Sequence, residues 1–272
     1  MRITFLGGGN MASALIGGLV AKGADARSIA VIEVSPAARE RLAARYPVQI
    51  VTAPDAAVQR SEVLVLAVKP QDVKAALAKV SLENQLVISI AAGLTLGTLS
   101  RWLGVHRKIV RCMPNTPALI GAGITAMYAL PEVSAEDRRK AETVLSAVGE
   151  VVWVSEERLL DPVTAVSGSG PAYVFWFIEQ LAASGEKLGL PAEIARQLAL
   201  HTVLGAAKLV AQSDESPATL RKNVTSKGGT TEAALKVFDE EKLAERFRRA
   251  IEAASTRGAE LGKEVGKMNG GS

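Results

Sequence analysis

Nine residues towards the C-terminal end, Asn223–Thr231, combine two glycines, several hydroxyls and one ammonium between two helical patterns. Glycines let the backbone turn and expose its N–H groups. A concave set of such amides at the start of a helix attracts an anion. The hydroxyls of Thr225, Ser226, Thr230 and Thr231 would add donors to the same anion. The composition predicts a binding site for a small carboxylate or phosphate. The alternative is a tight turn in which a Thr or Ser only caps the next helix.

A second candidate site, for a dinucleotide, begins at residue 7. The pattern Gly7-x-Gly9-x-x-Ala12 follows a strand-like run and opens a helical pattern, which is the context in which this motif binds a pyrophosphate. Gly7 makes the turn, Gly9 lets the pyrophosphate approach the backbone, and Ala12 keeps the helix close to the strand. The alternative is a plain glycine turn. Together, the two sites suggest an enzyme that transfers a hydride to a small acid.

Glu33 ends the second predicted strand, about 20 residues after the glycines. A carboxylate at that place usually accepts hydrogen bonds from an adenosine ribose and disfavours a 2′-phosphate. No arginine adjoins it, which favours NADH. Ser35 could still donate to a phosphate, and Arg39 or Arg41 could reach it, so NADPH stays open. The alternative for Glu33 is an exposed strand end.

Lys69 follows the fourth predicted strand, and the run 91–93 follows the fifth. Ligands of parallel sheets bind outside the carboxyl ends of the strands. We therefore predict that Lys69 points towards the nicotinamide region, where it would bond the ribose or polarise a substrate. The alternative is a solvated lysine.

The elements that position these residues alternate between strands and helices as far as about residue 160. This alternation predicts an α/β fold with an N-terminal Rossmann-type, doubly wound parallel sheet over residues 1–160. Residues 161–272 show only helical patterns, and the last of these runs without a break over 231–263. The run Val174–Ile178 is apolar all around a helix, so it needs a large surrounding core. We expect an all-α dimerisation domain; the alternative is a helix at the centre of one bundle.

Composition excludes several classes of protein. The 272 residues are 48% hydrophobic with a net charge of +4 and no long Lys/Arg run, which argues against a nucleic-acid partner. One cysteine, Cys112, and two histidines give neither an internal disulfide nor a Cys/His metal cluster, so no metal is expected. No apolar run approaches the ~20 residues needed to span a membrane. The chain starts with a strand-like run and no signal-peptide pattern, and we expect a cytoplasmic location.

Several motifs, in this order, resemble those of pyrroline-5-carboxylate reductases over residues 3 to about 260. They are the runs 5–11, 67–70, 111–117, 166–173 and 223–231. The resemblance implies a Rossmann domain joined to a helical dimerisation domain. It also implies NAD(P)H-dependent reduction of 1-pyrroline-5-carboxylate to L-proline, the last step of proline biosynthesis, by dimers that often assemble into a decamer.

The resemblance also implies roles for individual residues. The dinucleotide would contact Leu6, Gly7, Gly8, Gly9, Asn10, Met11, Ser35, Ala67, Val68, Lys69, Pro70, Ala91, Ala92, Gly93 and, from the partner subunit, Asn223. The substrate would be held by Ser169, Ser226, Gly228, Gly229, Thr230 and Thr231.

The catalytic candidates are Lys69 and Thr164. Thr164 matches a position near the substrate ring nitrogen and would relay a proton through water; its alternative role is a helix N-cap. Two departures from the family pattern stand out. Lys227 occupies a place where many members have proline, and Glu33-Val34 replaces the Asn-Arg pair common in NADPH-preferring members.

Two other classes of protein share part of this pattern. A β-hydroxyacid dehydrogenase would carry a catalytic Lys and Asn on the first long helix of the second domain. That helix instead carries Tyr173, Trp176, Glu179 and Gln180, and its lysine, Lys187, lies far along it. A non-catalytic dinucleotide sensor would keep the glycine turn but would not need the loop 225–231.

Overall fold

A computed structural model of the chain describes residues 1–268. Within them one eight-stranded sheet forms in the order β3-β2-β1-β4-β5-β6-β7-β8. The strands run over Ile3–Leu6 (β1), Ile29–Ile32 (β2), Gln49–Val51 (β3), Val63–Leu66 (β4), Leu86–Ser89 (β5), Ile109–Met113 (β6), Gly123–Ala129 (β7) and Gly149–Trp153 (β8). The order of the first six is that of a Rossmann fold, as the sequence predicts.

The sheet departs from the predicted parallel arrangement at one strand. Pairing from β3 through to β6 is parallel, but β7 runs antiparallel to β6, with Cys112 opposite Met127. β8 then pairs parallel with β7. The prediction of a wholly parallel sheet is therefore wrong at β7. No helix long enough for a crossover separates β6 from β7, and this short connection reverses the chain direction.

Twelve α-helices surround or follow the sheet within the described residues. They run over Asn10–Ala21 (α1), Pro36–Arg45 (α2), Asp55–Gln59 (α3), Val73–Leu77 (α4), Leu96–Trp102 (α5), Ala135–Leu145 (α6), Leu160–Val163 (α7), Gly170–Lys187 (α8), Ala192–Gln212 (α9), Pro217–Asn223 (α10), Thr230–Glu240 (α11) and Leu243–Met268 (α12). Several start at a capping side chain. Ser35, Thr95 and Ser134 accept hydrogen bonds from amides three residues on, which satisfies donors that a helix start leaves free.

Apolar side chains on both faces of the sheet form its core. On β4, Val63 and Val65 join one buried cluster, whereas Leu64 and Leu66 join the other. Side chains of a strand alternate between the two faces, so a strand covered on both sides is apolar throughout. Burying one such side chain stabilises the fold by about 1.5–3 kcal/mol. This core fixes the carboxyl ends of the strands, where ligands of such sheets bind.

The chain divides by its internal contacts into two compact units. One comprises Met1–Ser169 together with the stretch that begins at Ala254, and the other is Gly170–Ala253. This division differs from a single boundary at residue 160, because α12 contributes to both units. The predicted boundary at residue 160 stays a prediction. The last four residues of the predicted second domain, 269–272, lie outside the residues that the structure describes.

The second unit is entirely helical, as expected, but its last helix is interrupted. The predicted continuous helix over 231–263 is wrong, because α11 ends at Glu240 and α12 begins at Leu243. Lys242 adopts a φ of 53°, a left-handed conformation that stops an α-helix. Lysine rarely takes this conformation. The sequence has no glycine or proline at this place, so it gives no local signal for the break.

On α8 the apolar run 174–177 is exposed, with 45% to 64% of each residue accessible. The helix therefore does not lie at the centre of one bundle, and that alternative is wrong. Nor is any helix in the span 1–268 long and apolar enough to cross a membrane.

Candidate active site

A cavity of about 650 Å³ lies at the carboxyl ends of β1, β2 and β4. Its lining residues come from the glycine turn, from the ends of the strands and from the helices that follow them. They are Leu6, Gly7, Gly8, Gly9, Ile32, Glu33, Val34, Ser35, Thr52, Pro54, Ala67, Val68, Lys69, Asp72, Ala75, Ala76 and Lys79. The cavity therefore brings together eight of the predicted dinucleotide contacts: Leu6 through Gly9, Ser35, and Ala67 through Lys69.

The glycine turn has the geometry that a pyrophosphate site needs. Gly7 has a φ of 101°, and a Cβ there would lie 2.7 Å from Cγ1 of Val68. At Gly9 a Cβ would meet no atom within 4 Å. Packing therefore requires glycine at position 7, whereas at position 9 the missing side chain leaves open space for a ligand. Gly9 also precedes α1 without a side-chain cap, so the first amides of that helix are available to an anion.

The Glu33 carboxylate is fixed beside this turn by two hydrogen bonds. Its Oε2 accepts a hydrogen bond from the Gly8 amide at 2.8 Å, and its Oε1 accepts one from the Ser35 amide at 2.7 Å. The carboxylate thus occupies two amides that would otherwise be available to a phosphate, and it is fixed at the end of β2. Both carboxylate oxygens of Glu33 are hydrogen-bonded, so Glu33 is not a free, exposed strand end. Its position agrees with the predicted contact with a ribose.

Neither Arg39 nor Arg41, the arginines that could reach a 2′-phosphate, lines this cavity. Arg41 lines a separate cavity of about 320 Å³ with Asn10, Ser13 and the outer side of the glycine turn. The cations that line the main cavity are instead Lys69 and Lys79. Sequence reasoning did not identify Lys79, which lies in the chain between α4 and β5.

The predicted nicotinamide half is assembled only in part. Lys69 is exposed and lines the main cavity, whereas Pro70 and the run 91–93 do not. Gly93 has a φ of 77° and lies against α12, where a Cβ on Gly93 would come within 3.4 Å of the Gly262 Cα. Met11 also lies outside that lining, and Asn10 lines the smaller cavity.

Thr164 lies inside a continuous helical segment. α7 runs directly into a π-helical turn over Thr164–Gly168, and the Thr164 hydroxyl donates to the Leu160 carbonyl at 2.7 Å. Thr164 is therefore not a helix N-cap, and that alternative is wrong. The Ser169 amide donates to the Thr164 carbonyl at 2.8 Å, which closes the turn. π-helical turns occur frequently at functional sites.

The loop before α11 has uncapped amides. Gly229 precedes this helix with no side-chain hydrogen bond, so no Thr or Ser caps it, but its amide donates to the Ser226 carbonyl at 3.0 Å and closes a tight turn. Gly228 has a φ of 71°, and its amide donates to Oε2 of Glu232 at 2.7 Å. Thr225 differs from the other hydroxyl residues, since its Oγ1 already donates to the Arg221 carbonyl at 2.7 Å. The amides at the start of α11 remain able to bind an anion.

Asn223 ends α10, and its Nδ2 donates to Oε2 of Glu215 at 3.0 Å. Its predicted contact with a cofactor in the partner subunit stays a prediction. Burial raises the pKa of the Cys112 thiol well above its usual range, so this cysteine supplies no thiolate near neutral pH. Over residues 1–268, no group of three or more potential metal ligands occurs.

Comparison with known proteins identifies the family. A family model described as "Pyrroline-5-carboxylate reductase dimerisation" matches residues 157–261, and one described as "NADP oxidoreductase coenzyme F420-dependent" matches residues 2–93. A pyrroline-5-carboxylate reductase of Pseudomonas aeruginosa is 46% identical over 98% of both chains. The chain belongs to the pyrroline-5-carboxylate reductase family.

Solved structures agree with this assignment. A pyrroline-5-carboxylate reductase from Coxiella burnetii superposes with a TM-score of 0.90 at 41% identity, covering 96% of this chain and 98% of that one. A Plasmodium falciparum pyrroline carboxylate reductase with NADP bound has a TM-score of 0.84 at 29% identity over the same shares. Membership of the pyrroline-5-carboxylate reductase family confirms the predicted family and the Rossmann-type fold, and it excludes the β-hydroxyacid dehydrogenase interpretation.

Proposed function

We propose that this chain reduces 1-pyrroline-5-carboxylate to L-proline with hydride from a reduced nicotinamide dinucleotide. The observation that carries the proposal is the 46% identity to a pyrroline-5-carboxylate reductase over nearly the whole of both chains. The glycine turn supports it independently, because its open side at Gly9 fits a pyrophosphate.

The residues of the main cavity fit the adenosine half and the pyrophosphate of the cofactor. The amides at the start of α1 would hold the pyrophosphate, and Glu33 would accept hydrogen bonds from the ribose. We assign Lys69, which lines the same cavity, to bonding the second ribose or polarising the substrate. When bound, the dinucleotide supplies the hydride from C4 of its nicotinamide ring.

The substrate is a cyclic imine that bears a carboxylate. We assign that carboxylate to the loop before α11, where Ser226, Thr230 and Thr231 add hydroxyl donors to the free amides. Lys227 adds positive charge to the same loop, in place of the proline common in the family. Gly228 and Gly229 let the backbone turn at this place. Their own amides donate to Glu232 and to the Ser226 carbonyl, so the amides that we assign to the anion are those at the start of α11.

The chemistry adds one hydride and one proton across the C=N bond. A proton on the imine nitrogen makes C5 electrophilic, the hydride attacks C5, and the electron pair of the π bond ends on nitrogen as the amine of L-proline. The Thr164 hydroxyl proton is engaged with the Leu160 carbonyl, so its oxygen is free to accept. We therefore assign Thr164 to accepting the N–H of an imine that arrives protonated, with relay of a proton through water as the alternative. Ser169 lies in the same segment and would contact the substrate.

The geometry of Glu33 favours NADH, although the family resemblance implies NADPH. We infer NADH, because the carboxylate fills the amides of Gly8 and Ser35. We also propose a homodimer built on the exposed apolar run of α8, in agreement with the match to a dimerisation family model. Assembly into a decamer and a cytoplasmic location stay predictions.

Replacing Thr231 with Val tests the assignment of the substrate carboxylate. Loss of a hydrogen bond to a charged group costs about 1.5–3 kcal/mol, so the KM for the imine should rise at least about 10-fold. Thr225→Val is the matched control, since that hydroxyl is already engaged with Arg221 and its loss should leave this KM unchanged. Equal KM values for the Thr231→Val variant and the unmodified protein would show that the carboxylate binds elsewhere.

A further inference from the structure

Arg111 is a buried cation to which the proposed reaction assigns no role. It belongs to the run 111–117, one of the motifs that resemble the family. It lies on β6, opposite Ser89 of β5 and Tyr128 of β7, and only 7% of it is exposed. A buried guanidinium is tolerated only where acceptors or carboxylates pair with it. The identity of its partners therefore shows what the residue holds in place.

Two carboxylates meet the Arg111 guanidinium. Nη1 donates to Oε1 of Glu157 at 3.0 Å, and Nη2 lies 3.7 Å from Oδ1 of Asp161. The same Oε1 of Glu157 accepts a hydrogen bond from the Leu96 amide at 2.7 Å. Leu96 is the first residue of α5, and it follows directly after the loop that contains residues 91–93. One guanidinium thus connects that loop, through Glu157, to the helix that carries Asp161.

The helix that carries Asp161 leads directly into the π-helical turn that begins at Thr164. A second residue of the 111–117 motif holds the far end of that turn, since a Cβ on Gly168 would lie 2.8 Å from Cε of Met113. Strand β6 therefore contacts the segment before Thr164, through Arg111, and again beside Ser169, through Met113. The segment that carries both proposed substrate contacts is fixed to the sheet at its two ends.

We propose that Arg111 is a positioning residue for hydride transfer. It fixes the loop 91–93, which we assign to the nicotinamide half, relative to the turn that carries Thr164 and Ser169. This inference rests on the proposed function. Hydride transfer needs the reacting atoms about 3–3.5 Å apart, and a misplacement of about 1 Å can cost about 10²-fold in rate. A residue that sets this distance controls kcat more than it controls binding.

Arg111→Lys is the most informative variant, because it keeps the positive charge and removes the planar guanidinium with its several N–H donors. A guanidinium can bridge two carboxylates, whereas an ammonium is a point charge that cannot hold both in the same geometry. We expect kcat to fall about 10- to 100-fold, while the KM for the dinucleotide changes less than about two-fold. The primary isotope effect with 4-deuterated cofactor should rise, because hydride transfer becomes slower relative to product release.

Two further variants separate positioning from folding. Arg107→Lys is the matched control, since Arg107 pairs with Glu132 at the surface just before β6, and it should leave kcat and the isotope effect unchanged. Asp161→Asn removes the charge of only one partner of Arg111, the carboxylate at 3.7 Å, and keeps the contact with Glu157. It should lower kcat, while the thermal midpoint stays close to that of the unmodified protein. It provides the test if Arg111→Lys does not fold.

The outcomes distinguish this inference from the proposed function. If the unmodified protein does not reduce the imine, the proposed function fails and the inference fails with it. If the unmodified protein turns over and the folded Arg111→Lys and Asp161→Asn variants match the Arg107→Lys control in kcat and isotope effect, only the inference is overturned. A lower kcat with a raised isotope effect in either variant supports it.

Discussion

The carboxylate of Glu33 accepts a hydrogen bond from the backbone amide of Gly8, with 2.8 Å between Oε2 and N. Gly8 belongs to the turn between β1 and α1, and Glu33 follows the end of β2, so this bond links the two elements to which we assign an adenosine ribose. A second bond to the Ser35 amide fixes the other carboxylate oxygen. A 2′-phosphate bound beside Ser35 would therefore meet a negative charge.

This geometry predicts that the unmodified protein has a higher kcat/KM with NADH than with NADPH, by at least about 10-fold, because like charges in contact destabilise the complex. Glu33→Asn combined with Val34→Arg should reverse the preference. Glu40→Gln, which removes an exposed carboxylate from α2, is the control and should leave the ratio unchanged. The ratio of kcat/KM values measures the effect, and a higher kcat/KM with NADPH in the unmodified protein would contradict it.

Gly9 and Gly7 should respond differently to alanine. At Gly9 a Cβ meets no protein atom, so Gly9→Ala should fold normally but raise the Kd for the dinucleotide at least about 10-fold. At Gly7 a Cβ meets Val68 and the Ala67 backbone at a positive φ, so Gly7→Ala should lower the free energy of unfolding by about 2 kcal/mol or more. Titration with NADH and thermal unfolding separate the two effects, and a Gly9→Ala variant with unchanged Kd would place the pyrophosphate elsewhere.

The exposed apolar run of α8 predicts a dimer that a single charge disrupts. Trp176 is 58% exposed, and an aromatic side chain at the centre of an interface commonly contributes 2 kcal/mol or more to binding. Trp176→Glu should therefore shift the protein from dimer to monomer in analytical ultracentrifugation at micromolar concentration. Val34→Gln changes an exposed apolar residue of the other unit and should leave the dimer intact. A monomeric unmodified protein would refute this prediction.

His106 predicts a pH dependence of stability. Burial lowers its pKa, since it penalises the imidazolium, and its Nε2 lies 2.9 Å from the Gln85 carbonyl. As the pH falls below about 6.5, the unfolded chain takes up a proton before the folded one does, so the free energy of unfolding decreases. The loss continues until the pH passes the lowered pKa. Denaturant unfolding between pH 7 and pH 5 should show a larger loss for the unmodified protein than for His106→Gln, and equal losses would contradict the assignment.

Much of the first unit could be predicted from sequence because its signals are local. The runs that form β1 and β4 are short and wholly apolar, and the glycines after β1 mark a turn that few other residues could make. The cavity at the ends of β1, β2 and β4 follows from the same reasoning, because parallel strands bring their carboxyl ends to one edge. The spacing of Glu33 from the glycines is enough to predict its position at that edge.

The features that sequence reasoning missed depend on contacts between distant parts of the chain. The direction of β7 is set by pairing with β6, and no local pattern records it. The pairing of Arg111 with Glu157 joins residues 46 positions apart, and each alone resembles an ordinary charged side chain. The break at Lys242 needs a left-handed residue that the sequence does not mark with glycine. Lys79 lines the cavity together with Asp72, Ala75 and Ala76, and its own sequence neighbours do not mark that side of the segment as the one that meets the glycine turn.

Direct turnover tests best whether this chain transfers hydride to 1-pyrroline-5-carboxylate. The purified protein is mixed with reduced nicotinamide dinucleotide, and the absorbance of the cofactor is followed before and after the imine is added. We predict that the absorbance falls only after the addition, and that one L-proline forms for each cofactor oxidised. Binding of the dinucleotide without any oxidation on addition of the imine would contradict the claim and would favour a non-catalytic dinucleotide-binding protein.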